Sequence, residues 1–282
     1  MSLKVDAVQR STGFVGGLPN EDRTAFKATP QGFHAWVIDG GTSPDPALRV
    51  PARGLAGAWL AEEMTTALLA VCEGAGDLRA LLQGAIERIG PAWRAAGLDW
   101  PDWAQPVGAL SLLRLRPAKA SLTVEGLHLG GCPVAVLRAD GRAENLHGWT
   151  GVRDDESRRL GSDEAAQAAG LDALRARRAR QQTERPFSLL TLDPACATDA
   201  AATQARLEPG DRLIVASDGI ARAWNEYALL TPEDGARRLG AAGGFEGLLE
   251  EMRAFERHDY AAREARLLKV GDDASAVIVS VR

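Results

Sequence analysis

The chain has 282 residues, 45% of them apolar and 25% charged, with a formal net charge of -5 at pH 7. This length and apolar content predict a single domain over residues 1–282. The acidic balance, without a long Lys/Arg run, argues against nucleic acid as a partner. Three scattered cysteines without a CxxC pair argue against a zinc site. With no signal-peptide core and no apolar stretch of about 18 residues, we expect a cytoplasmic protein with no membrane partner.

The first third of the chain predicts strands followed by a helix pair. Segments 3–9, 23–28 and 32–39 show the two-residue alternation or the apolar runs of β-strands. Apolar residues then recur at spacings of three and four from Ala56 to Val71 and again from Leu78 to Ile89. This periodicity predicts two amphipathic helices.

The middle of the chain returns to β structure and then becomes polar. Segments 109–115, 120–129 and 134–139 predict a meander of antiparallel strands, with the turn GGCP at 130–133. The segment 150–185 is rich in Arg and Ala and has no strand pattern, which predicts helices and a surface flap. Its arginines Arg153, Arg158 and Arg159 are candidates for contact with a substrate, although a solvated helical face is the simpler interpretation.

The last part of the chain contains two further strands. Segment 211–219 predicts a short buried strand that ends at Asp-Gly, helices follow to about residue 268, and 271–281 predicts a closing strand. The overall order lacks regular βα alternation, so a doubly wound fold is excluded. The prediction is an α+β domain that combines antiparallel sheets with paired helices.

Acidic residues recur beside strand ends, next to glycine or another turn residue. They form four short motifs: Asn20-Glu21-Asp22, Asp39-Gly40, Ser217-Asp218-Gly219 and Gly271-Asp272-Asp273. Each motif alone is typical of an ordinary turn. Four carboxylate motifs brought together by neighbouring strands would instead repel one another and require a positive charge between them.

The donor atoms of these motifs point to a hard metal ion. They are oxygens, with no histidine or cysteine at ligand spacing, which favours Mg²⁺ or Mn²⁺ over zinc. Two such ions about 4 Å apart can activate a water and hold a phosphoryl group for in-line attack. On this hypothesis Asp39 bridges two metal ions and is not a covalent nucleophile.

The set of motifs NED, DG, SDG and DDAS, in this order, resembles the metal-dependent protein phosphatases of the protein phosphatase 2C type. The resemblance spans about residues 5–281 and implies a four-layer α-β-β-α sandwich of two antiparallel sheets flanked by helix pairs. It implies that Asp39 is the bridging ligand, that Asp22 supports the catalytic site, and that Asp273 lies in the surrounding shell. The implied metal ligands are Glu21, Asp39, Gly40 through its carbonyl, Asp218 and Asp272.

Three positions depart from the family pattern. Gly41 replaces the histidine proposed as general acid in eukaryotic members, and Gly17 stands where a phosphate-binding arginine is common. Cys132 replaces the aspartate of a GDS-like turn that serves a third metal, so a third metal is not expected, and this cysteine is interpreted as a small apolar filler. The candidate substitutes for the missing arginine are Arg10, Arg23 and His34.

The resulting hypothesis is a bacterial-type phosphatase that uses two Mg²⁺ or Mn²⁺ ions to hydrolyse phosphoserine or phosphothreonine in proteins. Its partner would be a phosphoprotein from a bacterial serine/threonine kinase pathway. One alternative is a phosphatase-like regulatory module with little or no activity. Another is an actin-like kinase, in which DGGTS at 39–43 would cradle nucleotide phosphates. A dehalogenase-type nucleophile is excluded because Gly41 occupies the position of its second aspartate.

Overall fold

The fold is that of a computed structural model, which describes residues 4–13, 19–45, 47–74, 76–150, 164–260 and 271–282. The sequence positions Gly17, Arg153, Arg158 and Arg159 lie outside the described residues. Within them, none of the helices combines the length and apolarity that a bilayer span requires.

Ten strands in the described ranges form two antiparallel sheets of five strands each. The first sheet has the order β1-β10-β9-β6-β7 and the second the order β2-β3-β4-β5-β8. The strands are β1 (Val5–Thr12), β2 (Asp22–Thr29), β3 (Gly32–Gly40), β4 (Gly108–Ala118), β5 (Ser121–Leu129), β6 (Val134–Leu137), β7 (Ala143–His147), β8 (Ala201–Leu207), β9 (Arg212–Ala216) and β10 (Ala274–Val281).

The helices lie outside the two sheets. They are α1 (Ala56–Val71), α2 (Leu78–Ala95), α3 (Glu164–Thr183), α4 (Cys196–Asp199), α5 (Asp218–Asn225), α6 (Pro232–Gly240) and α7 (Gly244–Phe255). A 3₁₀ turn, Asp102–Ala104, precedes β4, and a π-helical turn, Glu256–Tyr260, follows α7.

Three apolar cores define the layers. One core lies between the second sheet and the pair α1 and α2, another between the first sheet and helices α5 to α7, and the third between the two sheets. The position of strand β3 between two cores explains the unbroken apolar run in its sequence. Trp36 and Ile38 face the helix pair, whereas Ala35 and Val37 face the other sheet, so both faces of the strand are buried.

These cores confirm the predicted α+β fold, a four-layer sandwich of two antiparallel sheets covered by helices. The predicted strands and the first two helices are present with shifted ends; the first strand, for example, runs to Thr12. Strands β7 and β8 were not predicted. Each forms one of the two edges of its sheet and remains partly exposed, and their sequences, AENLH and AATQARL, carry little apolar alternation.

Candidate metal centre

The first two acids of the candidate site lie on adjacent strands. Asp22 is the first residue of β2, Asp39 lies one residue before the end of β3, and the antiparallel register pairs them directly. Paired residues on neighbouring strands point to the same face of a sheet. The hairpin therefore places both carboxyls on one face of the second sheet.

The other two acids come from the first sheet. Asp218 begins α5 directly after β9, and Asp272 precedes β10, the neighbour of β9. Burial raises the pKa of Asp39 well above its ordinary value, and the charges of Asp218, Asp22 and Asp272 raise it further. Asp218 also shares a side-chain hydrogen bond with Asp39. The structure thus brings four of the sequence-predicted acids from both sheets to one place.

Asp22 is the most deeply buried of these four, with 2% of the residue exposed. Burial raises the pKa of its carboxyl, hydrogen bonds from Ser217 and Ser275 lower it, and the charge of Asp272 raises it. The Oδ2 atom of Asp22 has no hydrogen-bond partner among the described residues. A buried carboxyl oxygen without a donor is costly, and a nearby cation would relieve that cost.

Glu21 and Gly40 present oxygens to a common point. The Glu21 carboxylate accepts a hydrogen bond from Thr42 Oγ1 at 2.5 Å, and the Gly40 amide donates to the Glu21 carbonyl at 3.0 Å. A Cβ atom added to Gly57, on α1, would lie 2.5 Å from Glu21 Oε1 and 3.0 Å from the Gly40 carbonyl oxygen. The glycine at position 57 keeps open the space that these two oxygens face.

Asp273 and Gly219 connect the first sheet to this end of the second. Asp273 Oδ2 accepts a hydrogen bond from the Glu21 amide at 2.7 Å, so Asp273 holds the backbone that carries Glu21. A Cβ atom at Gly219 would lie 1.7 Å from the Asp273 carbonyl oxygen, an approach that only glycine allows. Arg253 on α7 donates a hydrogen bond to the Asp272 carbonyl. These contacts fix the backbone on which the acids stand.

The chemistry of the donor set fits a hard divalent cation. Carboxylate and carbonyl oxygens are the donors that Mg²⁺ and Mn²⁺ prefer, and several like charges crowd around Asp39. As they stand, no three acidic, histidine or cysteine side chains of the described ranges are close enough together to hold an ion. Rotation of the acid side chains would therefore have to accompany the binding of a metal ion.

Comparison with solved structures identifies the fold to which this site belongs. The catalytic domain of the serine/threonine phosphatase PstP, in complex with two manganese ions, superposes with a TM-score of 0.55 at 15% identity over 99% of both chains. The S. agalactiae serine/threonine phosphatase gives a TM-score of 0.54 at 15% identity over the whole of both chains. The Mycobacterium tuberculosis phosphatase PstP/Ppp gives 0.52 at 18% identity over 98% of both. This chain has the protein phosphatase 2C-like fold. No family model and no curated protein matches the sequence.

Within this phosphatase-like fold, the residue after Asp39-Gly40 is Gly41. An arginine from another element places its side chain in the space beside this glycine. The Gly41 amide donates to the Val107 carbonyl at 2.8 Å, and a Cβ atom at position 41 would lie 2.8 Å from both Val107 Cγ2 and Arg178 Nη1. Arg178 belongs to α3, in the segment predicted as a flap. Burial and then the charge of Arg177 lower the pKa of Arg178, whereas the charge of Asp39 raises it. No sequence motif indicates a role for Arg178.

Of the three substitutes proposed for the missing arginine, the two arginines are engaged elsewhere and the histidine is buried. Arg10 pairs with Glu246 at 2.5 Å on the surface. The Arg23 guanidinium donates to the carbonyls of Asn20 and Asp22 at 2.8 and 2.7 Å. His34 is fully buried in the middle of β3, where burial and the charge of Arg114 lower its pKa to about 4. These contacts favour none of the three residues as a ligand for phosphate.

Cys132 lies in the core between the sheets and is fully buried. Burial raises the pKa of its thiol well above its ordinary value, and the charges of Asp39 and Asp22 raise it further. A protonated, enclosed thiol is a poor nucleophile and a poor ligand. This surrounding supports the interpretation of Cys132 as an apolar filler.

Proposed function

We propose that this chain is a metal-dependent phosphatase that hydrolyses phosphoserine and phosphothreonine in proteins. One observation carries the proposal: the charges of Asp22, Asp218 and Asp272, which come from three other segments, all act on the buried carboxyl of Asp39 at one end of the sandwich. Acidic side chains that repel one another destabilise the fold, and such a group is typical of a functional site that binds a cation. The fold is also that of solved serine/threonine phosphatases, one of them in complex with two manganese ions.

The protein residues would act by holding the ions and by shaping the site. Glu21 and the Gly40 carbonyl would hold one ion, Asp218 and Asp272 the other, and Asp39 would bridge them. When bound, two divalent ions would supply the Lewis acidity that activates a water for in-line attack on phosphorus. Asp22, held between Ser217 and Ser275, would add negative charge next to Asp39 and orient it. Mg²⁺ and Mn²⁺ both suit these donors.

Protein substrates are the class proposed for this site. The related structures are serine/threonine phosphatases by name, and the proposed physiological partner is a phosphoprotein of a bacterial serine/threonine kinase pathway. The alternative of an actin-like kinase is disfavoured by the backbone of its supposed phosphate loop. The amides of Gly40 and Gly41 already donate to the carbonyls of Glu21 and Val107 and are not available to a nucleotide.

The decisive experiment compares hydrolysis of p-nitrophenyl phosphate and of a phosphothreonine peptide in MnCl₂. The variants are Asp39→Asn and Asp218→Asn, with Asp99→Asn, an exposed acid away from the site, as the control. We expect the site variants to lose at least about 100-fold in kcat, because a weakened ligand set holds the metal poorly. The control should keep wild-type rates.

A binding measurement separates an inactive module from a phosphatase. Mn²⁺ should raise the free energy of unfolding of the wild type in urea, by about 2.7 kcal/mol at a concentration of 100 Kd, and should do so far less in Asp39→Asn. A wild type that binds Mn²⁺ but turns over neither substrate would be a regulatory module. Equal turnover by wild type and both site variants would refute the proposed site.

A further inference from the structure

Helix α3 is docked at a defined place next to the candidate site. Gln182 near its end donates hydrogen bonds to the carbonyls of Gln105 and Pro106, at 3.0 and 3.2 Å, just before β4 begins. About two turns earlier, the Arg175 guanidinium lies over the ring of Trp103, 5.0 Å from its centre. These contacts fix the face of α3 that turns toward the site.

Arg178 is the residue on that face that reaches the acids. Its Nη1 atom lies at the backbone of Gly41, and the charges of Asp39, Glu21 and Asp218 act on its guanidinium. Yet it forms no hydrogen bond or ion pair within 4 Å with any residue that the structure describes, and its Nε atom is buried without a partner. A guanidinium therefore faces the site without being neutralised by direct contact.

Two other arginines with little exposure, Arg222 and Arg253, pair with carboxylates. Arg222, with 2% of its side chain exposed, forms two hydrogen bonds with the Glu226 carboxylate at 2.8 and 3.0 Å. Arg253 does the same with Glu256 at 2.9 and 2.7 Å. An arginine that served only to neutralise the acid group would be expected to make such a pair. The arrangement of Arg178 instead leaves its donors for an anion that comes from outside.

We propose that Arg178 binds the phosphoryl group of the substrate, and that position 41 is glycine so that the Arg178 guanidinium can reach the site. This inference rests on the proposed phosphatase function and deepens it. The planar guanidinium can donate two parallel hydrogen bonds to phosphate oxygens, a geometry that lysine does not offer. Residue 17, where the family commonly has a phosphate-binding arginine, is glycine in this chain. Arg178 would supply that phosphate contact from α3, by reaching through the space that the absence of a side chain at Gly41 leaves open.

The first test measures the affinity for inorganic phosphate by calorimetry on the Mg²⁺-loaded protein. The variants are Arg178→Met and Arg178→Lys, and the control is Arg180→Met, since Arg180 is exposed on the same helix. We expect Arg178→Met to weaken phosphate binding about 10- to 100-fold, as loss of charge-assisted hydrogen bonds does. Arg178→Lys should recover only part of this, and Arg180→Met should match the wild type within about twofold. With p-nitrophenyl phosphate, the loss should appear mainly in KM.

The second test uses Gly41. A Cβ atom at this position would collide with the end of the flexible Arg178 side chain and with Val107. Gly41→Ala should therefore weaken phosphate binding severalfold in the wild type by displacing the guanidinium. In the Arg178→Met background the same change should have a clearly smaller effect, because only the contact with Val107 remains. Such a double-mutant cycle isolates the coupling between the two positions.

The outcomes separate this inference from the proposed function. If Arg178→Met binds phosphate as tightly as the wild type, or if Gly41→Ala acts equally in both backgrounds, the inference is overturned while turnover can stand. If Arg178→Met binds Mn²⁺ more than about tenfold tighter with unchanged phosphate affinity, Arg178 is a counter-ion of the acids and the inference is again overturned. If the wild type lacks turnover but loses phosphate binding with Arg178, the inference holds for a binding module.

Discussion

Asp39, Gly40 and Gly41 are consecutive residues with three different physical constraints. The Asp39 carboxyl lies among other acidic side chains, whose charges act on it. A Cβ atom at Gly40 would lie 2.4 Å from the Gly57 carbonyl oxygen, and one at Gly41 would lie against Arg178 and Val107. Neither glycine has a positive φ. Their role is to permit close approach, and not to form the tight turn that an Asp-Gly sequence usually indicates.

A buried polar network lies under the site, between the sheets. Ser111 Oγ donates to the Cys132 carbonyl at 2.6 Å and lies 2.8 Å from His128 Nδ1, while His128 Nε2 lies 2.8 Å from Thr203 Oγ1. Since the Ser111 proton goes to the carbonyl, His128 donates from Nδ1 and accepts at Nε2 from Thr203. The His128 ring stacks on His147 at 4.2 Å. The network therefore uses a neutral imidazole.

The network predicts a pH dependence of stability. Burial and then the charge of His147 lower the pKa of His128 from 6.5 to about 3. Below pH 6.5 the unfolded chain binds a proton at this residue that the folded chain does not, so folded stability falls as the pH drops toward 3. We expect His128 to contribute a loss of up to about 1.4 kcal/mol per pH unit in that window.

Urea unfolding between pH 7 and pH 4, in EDTA, would measure this contribution. His128→Asn should be less stable at pH 7 but should show a shallower decline than the wild type. Replacement of the exposed His258 by Asn should leave the wild-type slope unchanged. Parallel declines in wild type and His128→Asn would show that the buried imidazole is not the cause.

At the scale of single elements, α2 shows how local sequence fixes a boundary. Asp77 precedes the helix with an extended backbone, and its Oδ1 accepts a hydrogen bond from the Ala80 amide at 2.7 Å. This is an N-cap, which satisfies one of the free amides of the first turn. The helix then buries Leu82, Ile86 and Ile89 against α1 and the second sheet.

Removal of this cap gives a prediction on stability without loss of function. Asp77→Ala should lower the free energy of unfolding by about 1 kcal/mol, which corresponds to about 2 °C in Tm for a chain of this size. Differential scanning calorimetry measures the change. Asp99→Ala, at an exposed site outside the helices, is the control and should leave Tm within about 0.5 °C of the wild type. Phosphate affinity should be the same in all three proteins, because the side chain of Asp77 caps α2 and makes no hydrogen bond to α3 or to the acids of the site.

Helix α3 differs from α2, because its own sequence does not indicate which part of the protein it packs against. Its arginine-rich composition is compatible with a solvated face, and Arg180 is indeed exposed. What distinguishes Arg178 from Arg180 is only the direction in which each points once Gln182 is bound at the start of β4. Two neighbouring arginines thus acquire different surroundings from one docking contact.

At the scale of the whole molecule, the core between the two sheets couples the parts of the candidate site. Asp22 and Asp39 stand on one sheet, Asp218 and Asp272 on the ends of strands in the other. Their distances therefore depend on how the sheets pack. Leu113 on β4 is fully buried in this core, against residues of both sheets. The predicted single domain rests on the same core.

Truncation of Leu113 tests that coupling. Leu113→Ala should lower the free energy of unfolding by about 2–5 kcal/mol, and fluorescence and circular dichroism should still report one coincident transition. Leu69→Ala, at a leucine that is 37% exposed on α1, is the matched control and should cost less than about 1 kcal/mol. Separate transitions for the two probes would contradict the prediction of one folding unit.

Much of this fold is predictable from sequence because its causes are local. The helix pair α1 and α2 follows from apolar spacing, and the strand order follows from alternating or apolar segments bounded by turns. The four acidic motifs are visible because each stands beside a predicted strand end. The edge strands β7 and β8 escape prediction, since half-exposed strands carry a weak apolar pattern.

The available side chains can be read from the amino-acid sequence alone: the acids of four motifs, a glycine where a histidine was expected, and an arginine-rich segment. Which of these groups lie next to one another depends on how the chain packs. The register of β2 and β3 pairs Asp22 with Asp39, and the docking of α3 brings Arg178 to Gly41. A one-residue shift of register or a different rotation of α3 would leave the composition unchanged and separate these groups. Such placements depend on contacts between distant segments, which no local pattern encodes.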